Sequence, residues 1–286
     1  MKRLMSSQKY YAMDFAFFST GGVYSFADRC EITKAAGYDA IQTVVWDGVA
    51  AARTTELETV RERYELDLSG VYTVLDLSLG EQDERNSGLL GLIEKLPMGA
   101  TLDLAIRSAG NNTPASDPRG DARVVAWLKP ALAVAKERGV DISLYTHLQF
   151  WLATHDDAIR VCEAINDSSL GLTFSSLQWY AGDGQNLKSI LTRAMPWLLR
   201  VNLSGSRRSP LGFFNTATIE PLDSGELDNF AISAMVARIG YRGYLGYNGW
   251  HEGGDPYVKL VRSLQAMKDI QRRIAEHPNW AGHIDA

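Results

Sequence analysis

The chain has 286 residues, within the span of about 200 to 400 over which one (β/α)8 barrel closes. Its 45% hydrophobic and 22% charged residues exclude a disordered, collagenous or disulfide-stapled chain. Lys plus Arg (29) against Asp plus Glu (34) leaves a net charge of −5, with no basic run, which argues against nucleic acid or an anionic membrane as partner and leaves a neutral or cationic small molecule.

Apolar strand-like runs alternate with amphipathic stretches along the chain. The first strand is expected over Tyr10 to Phe18, followed by a helix over Ser25 to Ala36 with Ser25 as N-cap and Gly37 as stop. Tyr38 to Val45 precedes a helix over Thr55 to Tyr64, and Leu68 to Leu75 a short helix around Leu89 to Leu96. Thr101 to Ser108 precedes the helix Asp121 to Arg138, closed by Gly139. The second half continues with Val140 to Thr146 and helix Asp156 to Ile165, then Leu170 to Ser175 and helix Leu187 to Ala194. It ends with Trp197 to Leu203 and helix Glu226 to Ile239, then Gly243 to Tyr247 and helix Asp255 to Ile274. Eight such units, with strands apolar enough to be buried on both faces, predict a single α/β domain, a (β/α)8 TIM barrel over about residues 10–274 with a tail over 275–286. A doubly wound open sheet is the rival fold, weakened because no glycine-rich dinucleotide fingerprint follows the first strand.

Cys30 and Cys162 read as small buried apolar residues in helices. No run reaches the roughly 18 apolar residues of a membrane span, and Met1 to Lys9 is polar, so a cytoplasmic location is expected. In such barrels function sits at the carboxyl ends of the strands. Three loops there are long, 78–88, 109–120 and 204–223, and their polar turn-forming residues suit a hydroxylated ligand.

Several fragments stand in a telling order. They are Ala35-Ala36-Gly37-Tyr38-Asp39 entering the second strand, Ala133 to Val140 entering the fifth, Pro221 to Asp228, Gly240 to Gly243 entering the eighth, and the last helix from Asp255. Through them the chain resembles, over nearly its whole length, the xylose isomerase-like TIM barrels, the sugar phosphate isomerase/epimerase superfamily that also includes the zinc-dependent endonuclease IV enzymes. The resemblance implies a divalent metal held by a Glu on strand five, an Asp on strand six, a His on strand seven and a Glu on strand eight. Here those places fall on Tyr145, Ser175, Asn202 and Asn248, with Gln178 where the sixth-strand motif has His and Gln42 where a second-strand Glu is frequent. Neutral side chains supply no formal charge to a hard dication, so no cofactor is expected and the family's divalent metal is expected to be absent. The same groups donate to and accept from sugar hydroxyls, and a small carbohydrate is the expected ligand.

His147 sits in Tyr145-Thr146-His147, where the family frequently has Glu-Asn-His, and is a candidate general acid or base as well as a candidate scaffold residue. His251 and Glu252, after the eighth strand, are further candidates to move protons, with Asp47 and Asp76 as additional acids. Arg107, Arg207 and Arg208 suit a carboxylate or phosphate, whereas Arg200 points into the barrel by strand parity, toward ligand or toward an acid such as Asp141. Trp46, Trp179 and Trp250 can stack on a sugar face or simply pack the rim.

The expected function is a sugar isomerase or epimerase working by proton transfer without the metal, its charge stabilisation supplied by arginine or another cofactor. His147, His251 and Glu252 are its candidate catalytic residues; Gln42, Trp46, Arg107, Tyr145, Ser175, Gln178, Asn202, Arg207, Asn248 and Trp250 are its candidate substrate contacts. The alternative is a non-catalytic barrel that binds a sugar or a partner subunit. A metalloenzyme with ligands elsewhere, or a repair endonuclease, ranks below both. Neither nucleic acid nor membrane is an expected partner, and a homo-oligomer is left open.

Overall fold

Among the described residues the strands are β1 (Tyr10–Met13), β2 (Ala40–Val44), β3 (Asp67–Asp76), β4 (Thr101–Ser108), β5 (Asp141–Tyr145), β6 (Leu170–Ser175), β7 (Leu198–Leu203), β8 (Arg208–Phe213) and β9 (Leu245–Tyr247). The helices are α1 (Phe26–Ala35), α2 (Gly48–Ala52), α3 (Val60–Tyr64), α4 (Glu84–Glu94), α5 (Asp121–Arg138), α6 (His155–Ile165), α7 (Ser176–Gly182), α8 (Leu187–Ala194), α9 (Asn229–Arg238) and α10 (Pro256–Glu276). In this computed structural model, which describes residues 8–182, 184–250 and 253–285, all strands but β8 close into one parallel barrel in the order β1-β2-β3-β4-β5-β6-β7-β9. The α/β barrel is therefore the fold. No helix among the described residues is long and apolar enough to cross a membrane.

Strand alternation divides the core in two. On β4, Leu102, Leu104 and Ile106 belong to the large cluster between barrel and helices, while Ala105 joins Tyr11, Met13, Tyr72 and Tyr145 in the cluster inside the barrel. Local signals set the helix starts. Ser25 and Asp28 form a capping box on α1, Thr154 and Asp157 another on α6, and Gly139 closes α5 in the left-handed region at φ 64°.

Beneath the mouth the barrel interior is plugged by charge. Arg200 on β7 and Asp103 on β4 are both buried, with Nε 3.4 Å from Oδ2. Arg200 also donates to the carbonyl and hydroxyl of Ser69, and its guanidinium carbon lies 4.2 Å from the Tyr11 ring centroid. Gln42 and Thr173 donate to Asp103. Burial pushes the Asp103 carboxyl up, and the Arg200 guanidinium is the largest opposing influence. Two glycines make room for this plug: a Cβ on Gly70 would meet Arg200, and one on Gly246 would meet the Tyr11 ring. Arg200 thus points inward as parity predicts, but its acid is Asp103 and not Asp141.

Other expectations shift. The first strand stops at Met13 because Asp14–Phe17 forms a 3-10 turn that buries the Asp14 carboxylate against Thr43 and Arg29. The helix expected over Thr55 to Tyr64 shrinks to α3 behind a 3-10 turn, and α2 precedes it, capped by Asp47 accepting from the Ala50 amide at 2.9 Å. Helix α7 follows β6 directly, and the loop 204–223 contains β8. The tail docks: Ala281 is buried and Trp280 lies against Phe230 on α9 at 6.2 Å between centroids. Cys30 and Cys162 are buried free thiols.

Candidate active site

A cavity of about 700 Å³ opens at the carboxyl ends of the strands. One part of its wall is a nest of rings from the ends of β1, β2, β3 and β9. Phe15 lies 4.7 Å from Trp250, 5.4 Å from Tyr72 and 6.1 Å from Trp46 between centroids, and Tyr72 packs edge-on against Tyr145 at 5.1 Å. A second group of rings gathers beyond β5 and β8. His147 stacks on Phe150 at 3.9 Å, and Phe213 and Phe214 meet the imidazole at 5.3 and 5.4 Å. Leu177 and Gln178 come from α7.

The excursion after β7 carries Phe213 and Phe214 into the mouth because it folds as a hairpin. Ser209 N–H donates to Thr216 at 2.9 Å, and the turn at Phe214 and Asn215 takes φ 47° and 58°, with Asn215 N–H bonded to Gly212 at 3.0 Å. Phe214 in the left-handed region is a strained aromatic, the kind of backbone cost that accompanies functional loops.

His147 is the one imidazole among the described residues in this wall. Its Nδ1 is 2.9 Å from the Leu148 carbonyl, which can only accept, so the proton sits on Nδ1 and Nε2 carries the lone pair. Burial among the rings pushes its pKa down to about 4, aided by the positive charge of Arg107 and opposed by the bond to Leu148. The imidazole is neutral at pH 7. If it acts as a base, kcat/KM should hold level from pH 8 to well below the usual histidine value and fall only as protonation sets in near pH 4. An acid limb at the unperturbed value of about 6.5 would assign the limb to another group.

The four positions that the resemblance places around a metal hold no anion. Burial keeps the Tyr145 hydroxyl protonated, and it reaches Ser175 Oγ at 3.5 Å. Asn202 donates through Nδ2 to the Met13 sulfur, and Asn248 Oδ1 accepts from the Trp250 amide at 3.1 Å. Among these four residues the one buried oxygen without a partner is Oδ1 of Asn202, a neutral amide. Gln178 Oε1 accepts from the Leu148 amide at 2.7 Å. Such a donor set does not fit a hard dication. No group of three or more His, Cys, Asp or Glu among the described residues is arranged to hold a metal.

Of the sequence candidates, Trp46, Arg107, Tyr145, His147, Gln178, Asn248 and Trp250 come together in the cavity wall. Gln42, Ser175 and Asn202 do not line it and are buried, Gln42 against Asp103, Ser175 within reach of the Tyr145 hydroxyl and Asn202 against Met13. Arg207 is also absent from the wall, being tied to Glu220 at 2.6 Å, and Arg208 lies over the Tyr180 ring at 4.5 Å. Trp179 donates to Gln185, while Asp47 and Asp76 serve as caps, Asp76 accepting from the Ser78 amide and hydroxyl. His251 and Glu252 lie outside the described residues. Phe15, Tyr72, Phe150, Phe213 and Phe214 escape sequence reasoning, although the adjacent Phe213-Phe214 in a polar loop was a visible sign.

Among solved structures, the fold is similar to that of 3-keto-D-glucoside 4-epimerase from E. coli in its apo form, at 18% identity over 92% of this chain and 99% of that one, with TM-score 0.67. It is similar to L-ribulose 3-epimerase at 15% identity over 94% and 97%, TM-score 0.68, and to D-allulose 3-epimerase from Methylomonas sp. in complex with D-allulose at 16% over 92% and 96%, TM-score 0.67. At these identities the likeness shows a shared fold. No curated protein sequence matches. The family described as xylose isomerase-like TIM barrel matches residues 30–271, most of the chain, and the chain belongs to that family.

Proposed function

We propose that the chain is a cytoplasmic, carbohydrate-directed isomerase or epimerase that moves a proton beside a carbonyl without a divalent metal. The observation that carries this reading is His147, a neutral imidazole in the cavity wall whose tautomer is fixed by Leu148 with Nε2 left as acceptor. In the step envisaged, Nε2 takes the proton from a carbon next to the carbonyl, and the electron pair passes to the carbonyl oxygen as an enolate. The Tyr145 hydroxyl, held neutral, donates to that oxygen. Return of the proton to the former carbonyl carbon, while the adjacent hydroxyl passes its proton to the enolate oxygen and becomes the new carbonyl, gives isomerisation; return to the original carbon after the bound enolate turns its other face to Nε2 gives epimerisation. Two unpaired buried thiols fit a reducing compartment.

Incubation with ketoses, keto-glycosides and sugar acids in D2O should exchange a carbon-bound hydrogen for deuterium, read by NMR. No exchange with any of them would sink the reading. The purified protein should retain only substoichiometric Mn, Zn, Co or Fe after dialysis against a chelator, because no anionic donor set holds one at the four positions. Stoichiometric metal in elemental analysis would overturn the metal-free mechanism.

The neutral side chains at all four ligand positions favour one second reading, a barrel that binds a sugar without turning it over. A sugar that raises the melting temperature, as binding to the native state must, yet never exchanges its hydrogen would identify it.

A further inference from the structure

Arg107 stands exposed at the cavity rim, its guanidinium carbon 5.3 Å from the Phe150 ring centroid. No carboxylate among the described residues pairs with it, and no Asp or Glu among them lines the cavity. Among the described residues the site therefore presents one uncompensated positive charge and no negative one to a ligand. Most of the remaining wall is carbon. A free sugar offers one apolar face and a ring of hydroxyls that Gln178, Thr218 and Asn248 can meet, but it would leave part of the ring-lined wall around Phe15 and Trp46 uncovered.

We infer that the ligand of this cavity is an amphipathic monoanion: a glycosyl unit that carries a flat aryl group, packed among Phe15, Trp46 and Trp250, and one carboxylate, held by Arg107. The glycosyl part rests on the proposed sugar-directed function; the aryl and carboxylate parts rest on the cavity wall alone. Arginine suits the anion because its planar fork bonds both oxygens of a carboxylate, and its position over Phe150 holds that fork in place.

Isothermal titration calorimetry with four probes tests this: phenyl β-D-glucuronide, methyl β-D-glucuronide, phenyl β-D-glucoside and 3-phenylpropionate. Phenyl glucuronide should bind at least about tenfold tighter than either the methyl glucuronide, which lacks the aryl group, or the phenyl glucoside, which lacks the carboxylate. Arg107→Gln should bring phenyl glucuronide to the level of phenyl glucoside and leave the glucoside unchanged. Trp46→Ala should abolish the advantage of phenyl over methyl glucuronide. Both side chains are exposed, so an unchanged melting curve verifies that each variant is folded. Equal binding of phenyl and methyl glucuronide, equal binding of phenyl glucuronide and glucoside, or no binding of phenyl glucuronide at millimolar concentration overturns the inference. If 3-phenylpropionate matches phenyl glucuronide, the glycosyl part and the sugar-directed function fall together, while the aryl and carboxylate parts stand.

Discussion

Asp103→Ala is expected to lower the free energy of unfolding by about 3–5 kcal/mol, the cost of leaving a buried charge without its partner. Arg200 is 3% exposed and Asp103 fully buried, so water cannot reach in to replace the lost carboxylate. The guanidinium would keep only the carbonyl and hydroxyl of Ser69 and the face of Tyr11. Gln42 and Thr173 would lose an acceptor at the same time, and a buried donor left unpaired adds to the loss. The double variant Asp103→Leu/Arg200→Met should recover most of the stability, because an ion pair replaced by packed apolar groups of similar size is often neutral. Urea unfolding followed by circular dichroism measures both. A loss under about 1 kcal/mol in the single variant would mean that Ser69 and Tyr11 suffice for the cation, contrary to the cost assigned to an unpaired buried charge.

The second large effect is on turnover. With a sugar that shows hydrogen exchange, His147→Ala should cut kcat by roughly 100-fold to 10,000-fold, the range for removing a positioned acid or base, with a smaller change in ligand affinity. The stability cost should be modest, since His147 is half-buried and gives up one hydrogen bond to Leu148 and its stack on Phe150. That cost is also pH-dependent. The folded imidazole has its pKa held down to about 4 against an unfolded value of about 6.5, so the unfolded chain takes the proton first. The stability that neutral His147 contributes is complete above about 6.5 and is lost as pH falls toward 4, and the alanine variant should lack this slope. Wild-type turnover in a folded His147→Ala protein would remove the residue from the mechanism and shift attention to His251 and Glu252.

The barrel was legible because its signals are local. Parallel strands buried on both faces are written as apolar runs, and β4, β6, α5 and α8 lie where periodicity puts them because Gly139 and the turn residues punctuate them. Short elements were lost for the same reason. Helices of one or two turns such as α2 and α7 have too few residues for a period, and β8 owes its existence to pairing with its own hairpin arm rather than to alternation.

The cavity was half legible. Strand parity places Tyr145, His147 and Asn248 at the mouth, and neutral residues at the four strand ends where the resemblance implies three acids and a histidine are visible in one dimension. The depth of each residue along its strand is not. Ser175 and Asn202 share the parity of mouth residues but are buried outside the cavity wall, and Arg207 turns aside to Glu220 because the hairpin directs it there. By itself the sequence determined the barrel, its family and the neutral character of the ligand ring, since these follow from residue identity and spacing. Only the tertiary structure decided that Asp103 answers Arg200 across the barrel and that rings from β1, β2, β3, β5 and the β8 hairpin line one cavity with Arg107, because closing the barrel brings together side chains whose separation along the chain carries no trace of their contact.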